Sequence, residues 1–133
     1  LRAHNCRACT DITGFGLLGH LGEMVGASPA SIQVSLDALA LQGLAMAGSL
    51  DLLDLGYASS LAPSNARSLA LLEGPIQLQG PSSAALHGLL IDPQTCGPLL
   101  AALPAHQAPS AIAALHAAGF AQATVVGRVQ WVS

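Results

Sequence analysis

Apolar residues recur with a clear helical period near the start of the chain. Leu17, Leu18, Leu21, Met24 and Val25 fall at i, i+1, i+4, i+7 and i+8, one stripe of a 3.6-residue helix. His20 and Glu23 lie off that stripe, which predicts solvent-facing positions. Thr10, Asp11 and Thr13 are N-capping residue types placed just before it, and Gly26, Ser28 and Pro29 supply its stop. The period then changes to two: Ile32, Val34 and Leu36 alternate with polar partners, as in a half-buried strand. From Leu39 to Tyr57 an apolar stretch is interrupted by Gly43, Gly48 and Gly56, which predicts short helical pieces. Ser64 or Asn65 is expected to cap a short helix running to Leu72 and ended by Gly74-Pro75. In "ALHGLLIDPQTCGPLLAAL" two apolar runs flank a polar turn that Asp92-Pro93 suits as a type I opening. A helix from about Pro109 to Gly119 and an alternating strand in "QATVVGRVQWV", with Gly127 as a bulge, complete the pattern. Strands and helices alternate irregularly, so the prediction is an α+β or α/β sandwich rather than a bundle.

At 133 residues the chain fits one domain, able to bury about two-thirds of the surface its unfolded form exposes. Charged residues are 8%, against roughly 25% in an average soluble domain. The basic residues are Arg2, Arg7, Arg67 and Arg128, and lysine is absent. A net charge of -3 without a basic cluster argues against nucleic acid and anionic membrane as partners. Mean hydropathy is high at +0.56, but every apolar run is broken before it could span a bilayer. The first residue is Leu1, and "LRAHNCRACTD" has no apolar signal region, so the expectation is a piece of a longer chain. Its low charge agrees with a surface partly covered by a neighbouring domain; an alanine- and leucine-rich lineage is the plainer alternative. Cys6, Cys9 and Cys96 are an odd set without extracellular context, expected to be thiols of a cytoplasmic protein. "HNCRAC" offers half of a zinc site by spacing; no second half completes it, and small packing thiols are the default.

The chemistry concentrates in "TDITGFGLLGH", where "GFGLLG" spells the G-x-G-x-x-G of a dinucleotide loop. That reading needs a buried strand before the glycines and an acid about 20 residues on, near where Asp37 stands. The preceding "NCRACTDIT" is polar, and Asp11 would repel a pyrophosphate unless a cation lay between them. Mg²⁺ is commonly held by one or two carboxylates together with phosphates. Asp11 is thus a candidate metal ligand, with Gly14 and Gly16 letting backbone approach a phosphate. The alternative on residue type alone is that Asp11 only caps the helix.

Three segments, "ACTDITGFGLLGHLGEM" (Ala8 to Met24), "APSNARSL" (Ala62 to Leu69) and "DPQTCGPLL" (Asp92 to Leu100), resemble in order and spacing the C-terminal half of selenophosphate synthetase, also called selenide, water dikinase. The resemblance implies an α+β fold, a mixed β-sheet covered by helices as in the C-terminal domain of the aminoimidazole ribonucleotide synthetase family. The whole of residues 1–133 would be that single domain, and the N-terminal ATP-binding catalytic domain would be absent from it. The family makes selenophosphate, AMP and phosphate from selenide, ATP and water, and requires Mg²⁺. In it the Asp of the TD-x-TGFG motif, here Asp11, is a metal ligand at the ATP site. Its catalytic Cys or selenocysteine and its essential Lys belong to the N-terminal domain. The resemblance therefore implies no catalytic residue in this chain, no activity in it alone, and a homodimer in the full protein. Two residues depart from the family's usual "PQTSGG": Cys96 replaces a hydroxyl and is expected to be a buried packing thiol, and Pro98 replaces a glycine and removes an N–H. Rival readings are a related phosphotransferase or carbamoyl-handling maturase of the same fold, and a non-catalytic remnant that packs on a partner. His4, His20, His87, His106 and His116 are expected at the surface or at caps.

Overall fold

The computed structural model describes residues 1–132, and its architecture is α+β, with two small sheets and helices interleaved in sequence. A single 3-10 turn, Arg2–His4, leads into strand β1, Ala8–Asp11. β1 pairs antiparallel with β4, Leu99–Ala102, in a register that sets Cys9 opposite Ala101 and Asp11 opposite Leu99. The second sheet has β2, Ile32–Asp37, at its centre. It runs parallel to β3, Ile76–Gln79, and antiparallel to β5, Gly127–Trp131. Parallel neighbours require a crossover. Here it carries α2 (Ala38–Leu44), α3 (Ser49–Asp54), α4 (Ala62–Asn65) and a 3-10 segment, Ala66–Glu73.

Helices α1, Gly16–Gly26, and α5, Ala84–Ile91, close the core over β2 and β3. Leu18 and Leu21 of α1 meet Val34, Leu36, Ile76, Leu86 and Leu90 in one buried cluster. The stripe expected from the sequence therefore does point inward, although Met24 and Val25 at its far end are only half-buried. The alternation of Ile32, Val34 and Leu36 gives β2 its buried face, and the last helix, α6, Ala108–Ala117, stops before Gly119 at φ 95°. Asp37, at the position a ribose-binding acid would occupy, instead caps α2, accepting from the backbone N–H of Leu39 and Ala40 at 2.9 and 3.1 Å.

Several expectations are corrected. Thr10, Asp11 and Thr13 do not cap α1: its first turn follows Phe15 and has no side-chain cap. The helix expected from Ser64 or Asn65 begins earlier, at Ala62, and tightens to 3-10 geometry from Ala66. Asp92 leaves α5 in an extended conformation, as the residue before a proline prefers, and the chain bends only at Thr95 and Cys96. Gly127 is no bulge: it sits in regular register opposite Leu36, where a side chain would strike the Ser35 carbonyl. Strands β1, β3 and β4 were not predicted at all.

Candidate functional site

The three motif segments converge. Residues 11–16 lie along residues 91–98: the Ile12 N–H donates to the Pro98 carbonyl at 2.9 Å, and the Gln94 N–H donates to the Thr13 carbonyl at 3.0 Å. This apposition leaves no room for side chains at two glycines. A Cβ on Gly97 would collide with the Ile12 carbonyl, and one on Gly16 would come within 2.7 Å of the Ile91 backbone. Gly16 also adopts φ 68°, which a branched or bulky residue resists. Its backbone thus approaches Ile91 closely, while Gly14 has open space where a side chain would be.

Asn65 of the Ala62–Leu69 segment ties the first motif to Ile91, the residue just ahead of the Asp92–Leu100 segment. Only 8% exposed, its Nδ2 donates to the Gly14 carbonyl at 2.8 Å and to the Ile91 carbonyl at 3.0 Å. Both partners are acceptors, so the amide must present its NH₂ group to them. The sequence suggested a helix cap here; the side chain instead makes contacts 51 and 26 residues away.

His20 is likewise corrected from surface to interior, at 8% exposure. Its Nε2 lies 3.0 Å from Thr13 Oγ1 and its Nδ1 lies 3.1 Å from Glu23 Oε2. Because a carboxylate only accepts, Nδ1–H donates to Glu23, and in the neutral ring Nε2 accepts from the Thr13 hydroxyl. The Phe15 ring, itself half exposed, lies against His20 with centroids 5.4 Å apart. Thr13 is thus held by backbone on one side and by imidazole on the other. Of the other histidines, His87 and His116 engage nearby groups, Ser82 and the Ala123 carbonyl, while His4 meets Ser110 of α6 from across the sequence.

Asp11 ends β1 just before this clamp. It is exposed, its carboxylate accepts no hydrogen bond and meets no cation among the described residues, and the Thr10 hydroxyl reaches only its backbone carbonyl. Among the described residues no group of three or more His, Cys, Asp or Glu gathers as a ready metal site. Asp11 thus stands as an exposed carboxylate outside any such cluster. Across the clamp, burial pushes the Asp92 carboxyl above its ordinary value, and the Gln94 amide donates to it at 3.3 Å. Cys96 is exposed at the bend, a correction to the packing role expected for it. Pro98 enters the clamp through its carbonyl, and its backbone has no positive φ, so proline meets the geometry of that position. Burial, and then the neighbouring Cys6, push the Cys9 thiol up.

No helix among the described residues is long and apolar enough to cross a membrane. The family model for the AIR synthase related protein, C-terminal domain, matches residues 1–131. The chain is 37% identical over 122 residues to a selenide, water dikinase of Pelobacter propionicus, 36% over 124 residues to one of Myxococcus xanthus, and 38% over 122 residues to one of Desulfitobacterium hafniense strain Y51. Each match covers 92% of this chain and 33% of the relative, so the chain spans about a third of the length of the curated relatives it matches. The motif clamp, the α+β architecture and these similarities agree: the chain belongs to the AIR synthase related protein C-terminal domain family.

Proposed function

We propose that this chain is the C-terminal domain of a selenophosphate synthetase, which converts selenide, ATP and water to selenophosphate, AMP and phosphate, and that Asp11 is its contribution to the ATP site. The observation that carries this reading is an exposed, unengaged carboxylate at the end of β1, held opposite Leu99 by the strand ladder and leading directly into the clamp. Phosphoryl transfer depends mostly on positioning and on neutralising phosphate charge. Asp11 would hold Mg²⁺, which when bound supplies that positive charge. The rest of the segment serves position. The β1 ladder fixes the Asp11 backbone, Thr13 and Asn65 fix the turn after it, and Gly14 is the glycine at which a phosphate has room to approach backbone. Gly16 acts through the shape of the loop.

One carboxylate cannot run the reaction. In this reading the catalytic Cys or selenocysteine, the essential Lys and the other nucleotide ligands belong to an N-terminal ATP-binding domain, which the remaining two-thirds of the relatives' length can accommodate. That domain is this chain's partner, in a cytoplasmic homodimer that acts on ATP and selenide. The test is selenide-dependent AMP formation. A chain extended to the relatives' full length should release AMP, and residues 1–133 alone should release none. AMP formation by residues 1–133 would refute the division of labour, and an inactive extended chain would refute the enzyme assignment.

A further inference from the structure

The proposed function leaves unused a pair of thiols at the start of β1. Among non-glycine described residues only Asn5 is in the left-handed region, at φ 58°, and the turn it makes folds the chain back so that the Cys6 N–H donates to the Leu1 carbonyl at 3.3 Å. The Cys6 Sγ then lies 3.5 Å from the Ala8 carbonyl oxygen, against the peptide that leads into Cys9. Cys9 is held by the strand ladder opposite Ala101 while its side chain remains exposed, and Cys6 is half-buried beside it. Cys96 stands apart, in the bend ahead of β4 and five residues before Ala101. A C-x-x-C pair folded on itself, with one backbone fixed, one thiol open to solvent and the two thiols in contact, meets the requirement that the second step of thiol–disulfide exchange sets, a second thiol within reach of the first.

We propose that Cys6 and Cys9 form a reversible intramolecular disulfide by exchange with low-molecular-weight disulfides of the oxidised-glutathione class. One protein thiolate attacks a sulfur of oxidised glutathione, forms a mixed disulfide and releases one glutathione. The second thiolate attacks the protein sulfur of that mixed disulfide, closes the Cys6–Cys9 bond and releases the second glutathione. The two thiol protons end on the two released glutathiones; the protein is oxidised by two electrons and the glutathione disulfide is reduced by two. Cys96 has no neighbouring thiol to complete the second step and stops at the mixed disulfide. This site stands whether or not the proposed reaction does.

The experiment equilibrates the full chain in glutathione buffers of rising oxidised fraction, quenches with acid, alkylates free thiols and maps them by peptide mass. At high oxidised fraction none of the three thiols of residues 1–133 should remain free to alkylate: Cys6 and Cys9 carry no glutathione and their joint peptide loses two hydrogens, while Cys96 carries one glutathione. In the Cys6→Ser variant Cys9 should instead keep a glutathione adduct, and Cys9→Ser should leave one on Cys6. Stable glutathione adducts on Cys6 or Cys9 in the unaltered chain would overturn the proposal. So would Cys6 and Cys9 remaining alkylatable in buffers that modify Cys96.

Discussion

The motif clamp and the apolar rim of the molecule are built on opposite principles. In the clamp, segments far apart in sequence are joined by directed hydrogen bonds, Asn65 to Gly14 and Ile91, Thr13 to Gln94 and Ile12 to Pro98, while Thr13 also meets His20 within the first motif. At the rim, between and after α2 and α3 and along β5, large apolar side chains face outward with little to hold them, Met46 at 83% exposure, Leu55 at 74% and Trp131 at 76%. The clamp cannot tolerate small geometric changes, because its bonds are directional and its side-chain bonds buried or part-buried. The rim has little to lose in this chain by itself. The contrast separates residues whose positions are fixed by one another from residues that meet mostly solvent in this chain.

The comparison breaks most sharply at Gly97. A Cβ there meets the Ile12 backbone, which cannot rotate away as a side chain could, so Gly97→Ala should cost about 3 kcal/mol by overpacking. Denaturant unfolding gives the value, and a loss below about 1 kcal/mol would mean that the clamp yields. Next in size, Asn65→Ala leaves the Gly14 and Ile91 carbonyls without their donor, at a cost of about 2 kcal/mol. Leu55→Ser at the rim should stay within about 0.5 kcal/mol in the same assay. Equal losses at Asn65 and Leu55 would erase the distinction between the regions.

How much of this was legible depends on the range of each interaction. The α1 stripe and the alternation in β2 were readable because Leu18, Leu21, Val34 and Leu36 bury themselves through local periodicity. The end of α6 at Gly119 was readable from a single residue's backbone freedom. β1 was not, because three of its four residues are exposed and no apolar alternation marks it. β3 and β4 are four residues each, too short to show a period. The prominence of Asp11 was visible as a carboxylate ahead of glycines, but its freedom from capping was not, since that depends on where α1 begins. The role of Asn65 was hidden because its partners are remote in sequence. His20 was misplaced because the helical stripe excluded it, although Glu23 one turn on was a readable partner.

The smallest predicted effect lies at Asp92 and concerns pH. Burial raises its folded carboxyl above the unfolded value of about 3.9. The native state therefore binds this proton more tightly, and the contribution is present below the unfolded pKa and lost as pH rises through the folded one. Asp92→Asn should accordingly be neutral to slightly stabilising at pH 7, with that advantage fading as pH falls towards about 4. Thermal melts across this range measure it. A variant that loses stability at pH 7 would show that the Gln94 contact outweighs desolvation.

The central claim is that the clamp exists to present Asp11 to a phosphate-bound cation. Its most direct test is Mg²⁺-dependent AMP formation by the full-length enzyme carrying Asp11→Asn, an isosteric change at an exposed residue that should leave the melting temperature unchanged. The account predicts a loss on the order of a hundredfold in turnover or in Mg²⁺ affinity. Unaltered turnover and unaltered Mg²⁺ dependence in a folded Asp11→Asn enzyme would contradict it.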